Sequence, residues 1–151
     1  MGHLDQVDKN ILLVLQDNAR ISMTELGRMV GLTQPAVTER VRRMEERGVI
    51  KEYRAVVARE KIGKHTMAAI WLRATNCESL YAFCQSAQEV IECHRISGGE
   101  YNHLLKVVTA SLPDLEMFEN EIVKYGKFAT SIVLSSPIEN KSLAAVVPES
   151  N

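Results

Sequence analysis

The chain has 151 residues, room for one medium domain or two small ones, and a composition of 46% hydrophobic and 25% charged residues excludes an intrinsically disordered chain. Net charge is −1, with ten Lys/Arg against nine Asp/Glu in residues 1–60 and eight against ten in residues 61–151, so bulk charge makes no case for nucleic acid or an anionic membrane as partner. No apolar run approaches the ~20 residues that span a bilayer, "MGHLDQVDKN" lacks a signal-peptide pattern, and Cys77, Cys84 and Cys93 have no CxxC or Cys/His spacing; a cytoplasmic protein with reduced thiols, no metal and no cofactor is expected.

The first sixty residues read as helical. In "LDQVDKNILLVLQDNAR", Val7, Ile11 and Leu15 repeat at i, i+4, i+8, with Leu4 and Leu12 widening the stripe. "ISMTELGRMVGL" follows, where Ser22 and Glu25 have the spacing of a capping box and start a short helix with Leu26 and Val30 inward and Gly31 at its end. In "LTQPAVTERVRRMEERG", Thr33 is placed as an N-cap, Pro35 is tolerated in the first turn, and Val37, Val41 and Met44 lie on one side; Gly48 stops the helix. A short helix, a tight turn and a second helix in succession make a helix-turn-helix.

The outward face of that second helix carries Pro35, Glu39, Arg42 and Arg43, with Gln34 and Thr38 flanking it at the N-terminal end. Gln reads adenine edges, Arg reads guanine or phosphate, and Thr contacts a thymine methyl. A solvated face on which Glu39, Glu45 and Glu46 pair the arginines is the competing explanation. "GVIKEYRAVVARE" then suggests two short strands, Val49–Ile50 and Tyr53–Ala58, forming a wing from which Lys51 and Arg54 reach phosphate. Lys61, Ile62, Gly63 and Lys64 break the pattern, giving a head over 1–60, a linker over 61–65 and a body over 66–151.

In the body, strands are expected over 66–75, "VIECHRIS", "NHLLKVVT" and "TSIVLSSPI", with helices over 78–88 and 112–125. This βαββαβ order makes the whole chain α+β: an N-terminal winged helix-turn-helix followed by a ferredoxin-like domain. Met67, Ala69 and Trp71 point one way along the first strand and Ala68, Ile70 and Leu72 the other, so both sheet faces are apolar. Helices cover one face; a second copy of the chain is the economical cover for the other, which makes a dimer the expectation. The turn "SGGEYN" is by itself a hairpin turn or a ligand loop. It is no phosphate loop, because no helix follows its glycines. His94 and His103, placed on one face by period-two counting, are the best catalytic pair on offer, and siroheme decarboxylases share the two-domain plan; without their signature around this hairpin, no enzyme is expected.

With "LDQVDKNILLVLQDNAR", "ELGRMVGLT", "VTERVRRMEERGVI" and Ile62-Gly63 in view, the chain resembles the Lrp/AsnC family of bacterial regulators from Leu4 to about Ile138. The resemblance implies double-stranded DNA as partner, dimers that build octamers, and an amino-acid effector bound between dimers. It assigns the effector loop to Gly98, Gly99, Glu100, Tyr101 and Asn102, with Thr130 lining the same site. Asn102 stands where many members carry Asp, which disfavours a basic effector, and Gly27 stands where Ala is usual. A DNA-wrapping regulator with little effector response is the alternative.

Overall fold

A computed structural model describes residues 4–145, which form two compact units. One holds residues 4–55 together with 138–145; the other spans Val56–Pro137. The expected head–body boundary near residue 60 lies at a 3₁₀ turn, Arg59–Ile62, inside the second unit, and residues 138–145 pack with the first.

The head contains α1 (Gln6–Asp17), α2 (Met23–Val30) and α3 (Gln34–Glu46). Ile11, Leu26 and Val37 are fully buried, and Leu15, Val41 and Met44 nearly so. Each such side chain contributes roughly 1.5–3 kcal/mol by leaving water. Caps explain the helix starts, although not all as expected. Ser22 accepts from the Glu25 amide at 3.1 Å, while the Glu25 carboxylate turns to Arg28 at 3.4 Å instead of closing the box. The closed capping box lies on α1, where Asp5 accepts from the Asp8 amide at 2.8 Å and Asp8 accepts from the Asp5 amide at 3.1 Å. Thr33 sits at the N-cap of α3 without a side-chain cap bond.

Gly27 has a packing reason: a Cβ there would lie 2.7 Å from the Leu32 carbonyl oxygen, in the turn that leads to α3. The expected wing strands do not form. Residues 51–58 carry no ladder; the Val49 and Ile50 amides bond back to the Met44 carbonyl, and the Tyr53 hydroxyl donates to Glu45 at 2.7 Å. The final described segment docks on α1. The Gln16 carboxamide meets the Leu143 amide at 2.8 Å and its carbonyl at 3.0 Å, and the Ser142 hydroxyl donates to Asp17 at 2.8 Å.

The second unit has the expected βαββαβ order: β1 (Thr66–Ala74), α4 (Cys77–Ser86), β2 (Val90–Arg95), β3 (His103–Thr109), α5 (Leu112–Ile122) and β4 (Gly126–Ile132). The sheet is antiparallel in the order β2-β3-β1-β4. Ala68, Ile70, Leu72, Leu105 and Val107 face the helices and pack on Leu80, Leu115, Phe118 and Ile122. The last strand begins four residues earlier than expected. A 3₁₀ turn, Val123–Tyr125, ends the helix and delivers Gly126 against the end of β1, where a Cβ would lie 2.0 Å from the Arg73 carbonyl oxygen. On the other face Met67 and Val108 are buried, while Trp71 and Leu104, partners across β1–β3, stay half-exposed. Cys84 and Cys93 are half-buried beside each other, and burial pushes the Cys84 thiol up to about 12, so the pair is poor in reactive thiolate.

Candidate nucleic-acid interface and effector loop

Helix α3 presents its polar face as the period requires. Val37, Val41 and Met44 are buried; Gln34, Pro35, Thr38, Arg42 and Arg43 are exposed, and Glu39 is half-exposed between the arginines. Gln34 and Thr38 are joined across one turn: the Thr38 hydroxyl donates to the Gln34 carbonyl at 2.8 Å and the Gln34 amide to the Thr38 oxygen at 3.3 Å. Arg42 grips Glu39 with two bonds of 2.9 and 2.8 Å and also pairs with Glu46, while Arg43 reaches the same Glu39 at 2.9 Å. Those two guanidinium groups hold the Glu39 carboxyl down at about 2, so it is charged at neutral pH. The DNA-reading and self-paired readings of this face therefore describe the same residues, with arginines that carry their own replaceable counter-ions. Lys51 and Arg54 are exposed on the segment after the helix, and Arg54 lies 3.6 Å from Glu52.

Arg40 was not among the expected residues, yet it fixes the whole helix. Its guanidinium bonds Asp5 at 2.6 Å and Asp8 at 2.7 Å, tying α3 to the start of α1. The Asp8 amide and Arg40 together lower the Asp5 carboxyl. The available signal was an acidic pair, Asp5 and Asp8, at the start of the first helix; nothing local pointed to Arg40 as its partner.

The stretch from Ile96 to Asn102 crosses from β2 to β3. Gly98 (φ 97°) and Gly99 (φ 73°) both lie in the left-handed region that other residues avoid, so the double glycine is required by the turn itself. Asn102 anchors its far end. Its carboxamide oxygen accepts from the Ala74 amide at 2.8 Å and its nitrogen donates to the Ala74 carbonyl at 3.2 Å, while its backbone bonds Leu72 and Ile96. The side chain acts as an extra rung of sheet beside β1 and is committed there, so its expected offer of an amide to a ligand becomes a positioning role. Asn102 also fixes a buried histidine. His103 Nδ1 lies 2.8 Å from the Asn102 oxygen, and that oxygen only accepts, so Nδ1 carries the proton. Nε2 then accepts from the Tyr81 hydroxyl at 3.0 Å. Burial, with Arg95 in support, lowers the His103 pKa and keeps the ring neutral.

The loop tip is exposed at Gly98, Gly99 and Glu100, and Tyr101 is half-buried. Arg73 Nη1 donates to the Glu100 carbonyl at 2.7 Å, and Lys127 pairs with the Glu100 carboxylate and holds its pKa low. Neither cation was singled out in the sequence, because each stands 27 positions from Glu100, on a strand that the fold brings there. Thr130 is not brought to this loop within the chain. It pairs with Ile70 on the helix-facing side of β4, with β1 standing between β4 and β3, and its hydroxyl is buried without a hydrogen-bond partner. His94 and His103 are also separated. Register pairs His94 with Leu104 and Arg95 with His103, which puts the two imidazoles on opposite faces, and His94 instead meets Glu92 at 3.0 Å. Among the described residues no cluster of His, Cys, Asp or Glu is arranged to hold a metal, and no helix is long and apolar enough to cross a membrane.

Residues 4–51 match the winged helix-turn-helix DNA-binding model, and residues 68–143 match the Lrp/AsnC ligand binding domain. The chain belongs to the Lrp/AsnC family. It is a DNA-binding transcriptional regulator of that family. The HTH-type transcriptional regulator YezC of Bacillus subtilis is 44% identical over 88% of the chain and 95% of its own length. The solved structure of LrpC from the same organism superposes with a TM-score of 0.87 at 35% identity, covering 93% of the chain and all of LrpC. A Neisseria meningitidis transcriptional regulator, solved as a complex with L-Met, superposes with a TM-score of 0.87 at 25% identity, covering 93% of the chain and 96% of that protein.

Proposed function

We propose that the chain reads a specific operator through α3 and is gated by a small amino acid bound at the 97–102 loop. The observation that carries the effector half is the division of labour within that loop. Asn102 and the two glycines fix its backbone, while Gly98–Tyr101 stay open to a ligand. The L-Met complex of the Neisseria relative supports the ligand class. On the DNA side, Gln34, Pro35, Thr38, Glu39, Arg42 and Arg43 lie along the exposed side of α3 with Thr33 exposed at its N-cap, and Lys51 and Arg54 follow it as phosphate contacts.

The working unit is a dimer. Trp71 and Leu104 leave an apolar strip on the sheet face away from the helices, which a second copy would cover, and two recognition helices suit a two-fold operator. Assembly to octamers and Thr130 as a lining residue belong to the same proposal. Its test is a thermal-shift screen of the twenty amino acids with oligomer mass measured alongside. A ligand at 100 times its Kd adds about 2.7 kcal/mol of stability, enough to detect. A screen in which none of the twenty moves an assembled, DNA-competent protein removes the effector and leaves a DNA-wrapping regulator.

A further inference from the structure

The end of the sheet beneath the loop carries an unbalanced charge. Arg73 and Lys127 are direct partners across β1–β4, on the face away from the helices. Like charges placed opposite each other in an antiparallel pair repel, so an anion between them is favoured. Glu100 supplies it, receiving Arg73 on its carbonyl at 2.7 Å and Lys127 on its carboxylate. The Lys127 and Glu100 side chains are 69% and 52% exposed, and an ion pair in that setting is easily exchanged for one with a solute.

Among the described residues no second carboxylate pairs with either cation. Asn102 is neutral and spent on Ala74, and His103 is neutral between Asn102 and Tyr81. The groups in mutual contact are thus two cations and one carboxylate. A zwitterionic amino acid leaves one of those cations uncompensated, and a basic one repels both. An amino acid with a second carboxylate balances the set.

We propose that the effector is a dicarboxylic amino acid, whose carboxylate replaces that of Glu100 between Arg73 and Lys127 while Glu100 turns to its ammonium group. This deepens the effector reading above and rests on it.

The test is a titration of the full-length protein with L-aspartate, L-glutamate, succinate, L-leucine and L-lysine, followed by thermal shift, on the wild type and on Arg73→Gln, Lys127→Gln and Lys127→Glu. Ligand-free unfolding midpoints report whether each variant folds. L-Aspartate or L-glutamate should bind, succinate should bind more weakly for want of the ammonium, and L-lysine should not bind. Each Gln variant should weaken the dicarboxylic ligand about tenfold or more, the scale of one lost charge-assisted hydrogen bond. Lys127→Glu inverts the balance and should shift preference to L-lysine. Binding of L-leucine at a Kd that neither Gln variant changes would overturn the dicarboxylic class and leave an effector-gated regulator standing. Binding of neither L-aspartate nor L-glutamate would overturn the dicarboxylic class, and a blank in the screen of all twenty amino acids would overturn both.

Discussion

Helix α3 and the 97–102 loop both keep their polar groups paired, but with partners of opposite kinds. On α3 the partners are exposed side chains: Arg42 and Arg43 share Glu39, and Arg42 adds Glu46. Such exposed pairs contribute little to stability and exchange readily with solvent or phosphate. At the loop base the partners are backbone groups of β1 and a buried histidine, held by the single carboxamide of Asn102. Buried bonds of that type cost 1–3 kcal/mol for each group left unpaired. One surface is ready to trade its partners for DNA. The other is fixed at its root, so any ligand-driven movement belongs to the tip, Gly98–Tyr101.

The largest effects should come from breaking the fixed root. Gly126→Ala drives a Cβ to 2.0 Å from the Arg73 carbonyl oxygen and forces apart the β1–β4 end that carries both cations. We expect a loss of about 3 kcal/mol or more in urea unfolding, the scale of severe overpacking. Asn102→Ala strips partners from the Ala74 amide, the Ala74 carbonyl and His103 together, and about 3 kcal/mol is expected again. Asn102→Asp is the sharper variant, since the acceptor survives while the donor to Ala74 is lost; about 1–2 kcal/mol should go. Were Asn102→Ala as stable as wild type, the contrast between the two surfaces would collapse.

A smaller, pH-dependent effect comes from His103. Its folded pKa lies below the ordinary value of about 6.5, so the unfolded chain binds the extra proton first. The stability it contributes is complete above about 6.5 and is lost as pH falls from there toward the folded value. Wild type and His103→Gln should therefore show stability curves whose separation changes only on the acid side of that point. A separation constant from pH 8 to 5 would mean that His103 does not titrate differently on unfolding.

How much of this was legible in the sequence follows from the range of each interaction. Local signals were readable: the 3.6-residue stripes of α1 and α3, Ser22 before α2, and the βαββαβ order all depend on neighbours within a few residues. The winged helix-turn-helix class was legible, but the two strands expected over Val49–Ile50 and Tyr53–Ala58 were not formed, because residue types show where a strand could form and a ladder also needs a partner strand. The start of β4 was misplaced because the β-rich run after Ala129 outweighed Tyr125-Gly126, whose role depends on the nearby end of β1. His94 and His103 were assigned to one face by counting residues through the turn, whereas the ladder sets Arg95 opposite His103. In the site, the loop residues adjacent in sequence were visible, but Arg73, Lys127 and Arg40 act across 27, 27 and 35 or 32 positions and leave no local trace.

The smallest structural effect, and the cleanest probe of the exchangeable surface, is Glu39→Gln. Its carboxylate is fully ionised at neutral pH and binds Arg42 and Arg43 on an exposed helix face, so removing the charge should leave the unfolding midpoint where it is. DNA binding should change in a defined way. Arginines released from Glu39 are free to neutralise phosphate, and each added phosphate contact steepens the slope of log K against log salt by about 0.9. We expect tighter binding to random duplex DNA at low salt, a slope steeper by about one, and a smaller ratio of operator to random affinity. That combination would assign Glu39 the task of restraining nonspecific attraction so that Gln34, Thr38 and Arg42 can discriminate. If slope and ratio both match wild type in a salt series, Arg42 and Arg43 do not meet DNA, and the polar face of α3 is only a solvated one.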